Sequence, residues 1–165
     1  MNDNKIVFCD TGFIIRLLDK TNELHNNAVG YFRYFLDNDY IIRMSTIAVA
    51  EFCVKDNINN LPLRNIMLSP FNAYHASQSG ESAKILFDAK AKGVLEVDAR
   101  IIIQNDVKLL VQAQCEQAAY YLTSDTASKR MYDILRSSNK ITFDFTDIHT
   151  PYTQKFGIID FDEKI

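Results

Sequence analysis

Short apolar runs alternating with stretches of helical period constrain this chain more than any other feature. Lys5 to Asp10 opens as a strand, KIVFCD, and Phe13, Ile14, Leu17 and Leu18 follow at helical spacing. The pattern predicts a second helix from about Glu23 to Asp37 with Ala28, Phe32, Phe35 and Leu36 inward, then a strand over Tyr40 to Met44. Ser45 or Thr46 is placed to cap a helix carrying Ile47, Ala50, Glu51 and Val54. Asn65 to Leu68 reads as a strand and Asn72 to Lys92 as a helix, with Gly93 suited to the position just past its end. Val94 to Gln104 fits either a strand or the front of the next helix. Asp106 to Ala119 is expected to be helical, Tyr120 to Thr123 a strand, Ala127 to Leu135 a helical stripe, and Ile141 to Phe145 a last strand. Such alternation implies a three-layer α/β/α fold, with helices on both faces of a mostly parallel sheet.

At 165 residues, without repeat, low-complexity tract or Pro/Gly/Ser linker, the chain is expected to form one domain over 1–165. Its core should span about 6–145, with 146–165 as an extension. No apolar run reaches the roughly 18 residues of a membrane span, and MNDNKIVFCD lacks the build of a signal peptide. The expectation is a cytoplasmic protein without membrane association. Cys9, Cys53 and Cys115 are odd in number and form no CxxC pair, so buried, reduced thiols are expected. The net charge of −3 is unlike that of a generic nucleic-acid coat. A nucleic-acid ligand would need a local basic patch, or metal ions to offset the acids.

Ligand sites in parallel sheets form beyond the carboxyl ends of the strands, and acids fall there. Asp10 ends the first strand in FCDTGF, and Asp125 follows another in YYLTSDT. Asp106 stands in the first turn of a helix, in QNDVKLLVQA, and Glu51 lies among small and apolar residues in STIAVAEF. Ile47, Ala48 and Val54 share the expected side of Glu51, which should turn it inward. Taken singly, Asp10 and Asp125 are explained as helix caps and Asp106 as an acid favoured by the helix dipole. Glu51 has no capping duty. Inward carboxylates are costly unless paired, and several together repel one another. A divalent cation removes the conflict, and oxygen ligands without a His or Cys cluster favour Mg²⁺ or Mn²⁺ over zinc.

FCDTGFIIRLLD, STIAVAEF, NDVKLLVQA and YYLTSDT resemble, in order and spacing, the four acidic motifs of PIN-domain proteins, including the toxins of VapBC toxin–antitoxin modules. The match runs from about Ile6 to Phe145. The resemblance implies a metal-dependent endoribonuclease, with RNA as substrate, Mg²⁺ or Mn²⁺ as cofactor and an antitoxin protein as partner. It implies that Asp10, Glu51, Asp106 and Asp125 hold the metal. Asp10 and Asp106 would be the principal ligands, and Thr123 of the T-x-D motif would hydrogen-bond a carboxylate or the phosphate. Thr11 matches the family's D-T pair. Two positions depart: Gly12 stands where Ser or Asn often follows, and Ser128 where many members carry a further acid, so four acids are expected rather than five.

Lys108, Lys129 and Arg130 lie near enough to these acids in sequence to be candidates for RNA contact, although solvated helix lysines explain them equally well. His25, His75 and His149 share no ligand spacing, and strand alternation turns Cys9 away from Asp10, which argues against a thiol enzyme. A non-catalytic PIN-fold binding module is the alternative. An aspartate-based phosphatase is weaker still, because Gly12 stands where its second Asp would be. The aromatic run Tyr31 to Phe35, YFRYF, suggests an exposed face on the second helix for a homodimer or antitoxin contact. The last stretch, FGIIDFDEKI, fits an edge strand, a dimer arm or a tail.

Overall fold

The computed structural model describes residues 5–98, 100 and 105–158. Its strands are β1 (Ile6–Cys9), β2 (Ile41–Ser45), β3 (Ile66–Ser69), β4 (Tyr120–Thr123) and β5 (Asp144–Asp147). The helices are α1 (Thr11–Leu18), α2 (His25–Asp37), α3 (Thr46–Phe52), α4 (Ala73–Ala91), α5 (Asn105–Cys115), α6 (Lys129–Ser137) and α7 (Tyr152–Phe156). The sheet has five strands, all pairings are parallel, and the order is β3-β2-β1-β4-β5.

β1 is central, and Val7, Phe8 and Cys9 have no exposed surface. Alternating side chains on β4 mark the two faces. Tyr120 packs on Phe35 of α2 and Phe156 of α7, with ring centroids 5.1 and 5.8 Å away. Tyr121 turns to Phe143 and Phe145 at 5.9 and 6.0 Å, and Tyr132 of α6 covers Phe145 at 5.0 Å. α1 packs on α2 and α3, while α4 packs on α5 and α6. The layers are those expected from the sequence. Among the described residues no helix is long and apolar enough to cross a membrane.

Several local expectations are corrected. The last strand begins at Asp144, not Ile141. The carbonyl of Phe143 accepts from Tyr132 Oη (2.7 Å) and Arg136 Nη1 (2.6 Å), and that of Thr142 accepts from Arg136 (3.0 Å), so side chains occupy groups that a strand ladder would use. α5 stops at Cys115 because Gln117 takes a left-handed conformation (φ 57°), leaving Ala118 buried but outside the helix. Ala127 is exposed and precedes α6. On α2 the inward aromatic beside Phe35 is Tyr31, whose hydroxyl donates to Thr150 O at 2.8 Å, while Phe32 is half-buried. Cys53 is exposed and Cys115 half-buried, so only Cys9 meets the expectation of burial.

The core does not end at 145. β5 runs through Asp147, and α7 folds back over the aromatic stretch of α2: Phe156 stacks on Tyr34 at 4.2 Å, and Tyr152 lies edge-on to Tyr31 at 6.3 Å. Gly30 permits this approach, since a Cβ there would stand 2.5 Å from Tyr152. The chain itself therefore covers the face expected to meet a partner. Residues 99, 101–104 and 159–165, on which the strand-or-helix choice after Val94 and most of the terminal stretch depend, lie outside the described residues.

Candidate metal centre

The chain leaves β1 toward β2 and β3 on one side and returns through β4 on the other, so the topological switch point lies between β1 and β4. Ligand sites of open parallel sheets form at such a point, past the carboxyl ends of both strands. Asp10 immediately follows β1, and Thr123 ends β4 with Asp125 two residues on.

Asp10 is only 8% exposed. It caps α1, its Oδ1 accepting from Phe13 N at 2.7 Å. Its Oδ2 accepts from the wholly buried hydroxyl of Thr123. Burial lifts its pKa from 3.8 to about 7. The two hydrogen bonds work against that rise, and the charges of Asp106 and Asp125 add to it. Asp106, half-buried in the first turn of α5, is also raised, first by desolvation and then by the charges of Asp125 and Glu51. Asp10 and Asp106 thus feel the charges of the neighbouring acids, and among the described residues none of the four carboxylates has an ion-pair partner.

Glu51 comes from the last turn of α3, a helix capped by Ser45, whose Oγ accepts from Ile47 N at 3.1 Å. It lies one residue before the helix ends, and Val54, expected beside it, lies past the helix and is 81% exposed. Its orientation has another cause. Thr11 Oγ1 donates to Oε2 and Asn105 Nδ2 to Oε1, each at 2.6 Å, so α1 and α5 hold one carboxylate between them. Asn105 was not foreseen from the sequence. Its position beside Asp106 in N-D was the available signal, and only the packing of α5 toward α3 gives it meaning.

Asp125 is exposed, in the turn after β4. Its backbone N donates to Thr123 Oγ1 (2.8 Å), and its Oδ1 accepts from Ala127 N (2.8 Å), so it also shapes the turn. Ser124 is the second residue missed. A Cβ on Gly12 would stand 2.7 Å from Ser124 Oγ and 3.3 Å from Asp10 Oδ1. The space that a side chain at 12 would fill is taken by a hydroxyl from the β4 turn. Ser128 is buried behind this turn and carries no charge to the site.

The donor set is all oxygen, which suits Mg²⁺ or Mn²⁺. The acids are coupled but open: among the described residues no three His, Cys, Asp or Glu side chains form a ready-made metal cage. The bonds to Thr11, Asn105 and Ala127 fix the carboxylates of Glu51 and Asp125. The fit lies in a buried, fixed carboxylate with no counter-charge and three further acids close enough to raise its pKa or one another's.

The other candidates are placed elsewhere. Lys129 pairs with Asp133 and lies 4.9 Å over the Tyr132 ring, away from the acids. Arg130 is exposed and Lys108 half-buried. His25 Nδ1 bonds Arg16 O at 3.1 Å, His75 completes the cap of α4 with Asn72, and His149 pairs with Asp147, so the histidines form no cluster. Cys9 is buried, its Sγ donating to Arg43 O at 3.3 Å, and burial pushes its thiol pKa well up, the opposite of a nucleophile.

No protein-family model and no curated protein sequence matches the chain. Among solved structures, a chain of VapBC2 from Rickettsia felis, crystallised bound to a DNA fragment from their promoter, superposes with a TM-score of 0.55 at 17% identity. The match covers 86% of this chain and 99% of that one. With its five-stranded parallel sheet flanked by helices, the architecture is a PIN-like fold shared with that chain.

Proposed function

We propose that the protein is a metal-dependent endoribonuclease that hydrolyses RNA phosphodiester bonds, using Mg²⁺ or Mn²⁺ held by Asp10, Glu51, Asp106 and Asp125. The observation that carries this is the coupling of those acids, with Asp10 raised to about 7 and no cation among the described residues to offset them. When bound, the metal supplies an activated water and relief of charge on the phosphate. The chain's own groups supply position. Asp10 is fixed by Phe13 N and Thr123, so it can act as an anchor without reorganising. Asp106 brings a second carboxylate from α5, and the tethers from Thr11 and Asn105 aim Glu51 toward it. Asp125, on its exposed turn, can close over the site.

The likeness to VapBC2 supports a place in a toxin–antitoxin pair, as a cytoplasmic homodimer restrained by an antitoxin protein. Purified protein is expected to cleave labelled single-stranded RNA in Mn²⁺ or Mg²⁺, to stop on chelation, and to lose activity in Asp10→Asn and Asp106→Asn with unchanged circular dichroism. Full cleavage by either variant or under chelator overturns the assignment. Growth arrest on expression, relieved by a small protein encoded next to it, tests the toxin role. The open arrangement of the acids favours one second reading, a PIN fold retained as an assembly module. Absence of both Mn²⁺ binding and cleavage would select it.

A further inference from the structure

A groove of roughly 320 Å³ runs beside the acids between α1 and the end of α3. Glu51 and Phe52 form one wall, and the groove also carries Arg16, Lys55, Asp19 and Asp56. The two acids at its edge are already engaged. Asp19 accepts from Thr21 N (3.0 Å) and Thr21 Oγ1 (2.7 Å), and Asp56 from Asn57 N (2.7 Å) and Asn60 Nδ2 (2.6 Å). The two cations are not engaged: among the described residues neither Arg16 nor Lys55 makes a side-chain hydrogen bond or ion pair, and Arg16 Nε is buried without a partner. A buried guanidinium N–H without an acceptor is costly and uncommon, and the expected remedy is an acceptor that arrives with a ligand. Two cations against three acids leave the groove slightly negative, a balance that a divalent ion at Glu51 reverses.

The geometry points to this groove as a phosphate subsite: Arg16, assisted by Lys55, binds a backbone phosphate of the nucleic-acid strand next to the one attacked at the acids. The inference rests on the proposed nuclease reading and adds where the strand leaves the site. A guanidinium fork suits two phosphate oxygens, and its neighbour Glu51 connects the groove to the metal centre.

The test is binding of a fluorescein-labelled single-stranded RNA by the full chain in Ca²⁺, with the RNA recovered intact after each titration, across a salt series. Arg16→Gln is expected to weaken binding about tenfold and to lower the slope of log affinity against log salt by about 0.7, one phosphate contact. Lys55→Gln, on an exposed loop with no folding role, is expected to move both in the same direction, and Arg16→Lys to restore most of the slope. Lys140→Gln, remote from the groove, is the control. Unchanged affinity and slope in both groove variants, while Asp10→Asn still abolishes cleavage, would remove the subsite and leave the nuclease. An equal effect from Lys140→Gln would reduce the result to net charge and also overturn it. Binding of an oligoglutamate peptide that depends on Arg16, with RNA binding unaffected, would assign the groove to a protein partner instead. A parent protein that neither binds nor cleaves RNA would overturn subsite and nuclease together.

Discussion

Asp10 does two jobs that pull in opposite directions: it caps α1 as an acceptor, and it sits ionisable where water is excluded. The second role dominates its titration. Because the folded-state pKa is raised to about 7 from 3.8, the unfolded chain gives up this proton first. The stabilising contribution is complete below pH 3.8, falls as pH rises, and is lost above about 7, a span worth up to about 4 kcal/mol by linkage. Urea unfolding of metal-free protein should therefore show stability decreasing from pH 4 to 7.5. In Asp10→Asn, which keeps the cap without the charge, that decrease should be smaller, the rest belonging to the raised Asp106, and at pH 7.5 the variant should be the more stable of the two. A parallel fall in both proteins would place the cause elsewhere. The places of Asp10 and Asp125 after strands and of Asp106 in a first turn were legible because strand ends and first turns are positions a sequence exposes. The partners of Glu51 were not, because hydrogen bonds reaching 40 and 54 residues along the chain leave no local trace.

At the scale of elements, the alternation of apolar runs placed β1 to β4 within a residue or so, since buried parallel strands have few other ways to look. β5 slid by three residues because Arg136 and Tyr132 substitute for ladder partners at Thr142 and Phe143, a side-chain matter invisible to periodicity. α7 escaped notice for a related reason: five residues carry too little pattern, and its stability comes from Tyr152 and Phe156 lying on α2. Gly30 is the hinge of that contact. Gly30→Val should cost about 1–3 kcal/mol in thermal or urea unfolding, as overpacking against the Tyr152 ring. Added to Tyr152→Ala, the same substitution should cost much less, because the clash partner is gone. Additive effects in the double variant would show that Gly30 serves only the helix backbone.

For the whole molecule, the proposed metal site predicts a protein stabilised by loading, since among the described residues the four carboxylates have no ion-pair partner. Mn²⁺ should raise the melting temperature near pH 7.5 in a concentration-dependent way, by about 2.7 kcal/mol of stability at a hundredfold excess over its dissociation constant. Chelator should reverse the rise, and Asp10→Asn should blunt it. A melting temperature indifferent to metal in the parent would argue for the assembly-module reading. The layered architecture was readable from the chain because alternation allows few alternatives. The covered face of α2 was misjudged because aromatic density tells how much must be buried, not which part of the chain buries it.

The order β3-β2-β1-β4-β5 has one more effect, and it concerns synthesis. The strand that precedes Asp10 is made more than a hundred residues before its neighbour on one side, which begins only at Tyr120. Until β4 docks, Asp10 lacks the Thr123 hydroxyl, and Asp125 has no fixed place. A chain truncated before β4 therefore lacks both the hydroxyl that fixes Asp10 and the turn that carries Asp125, and should fail the cleavage assay of the proposed nuclease.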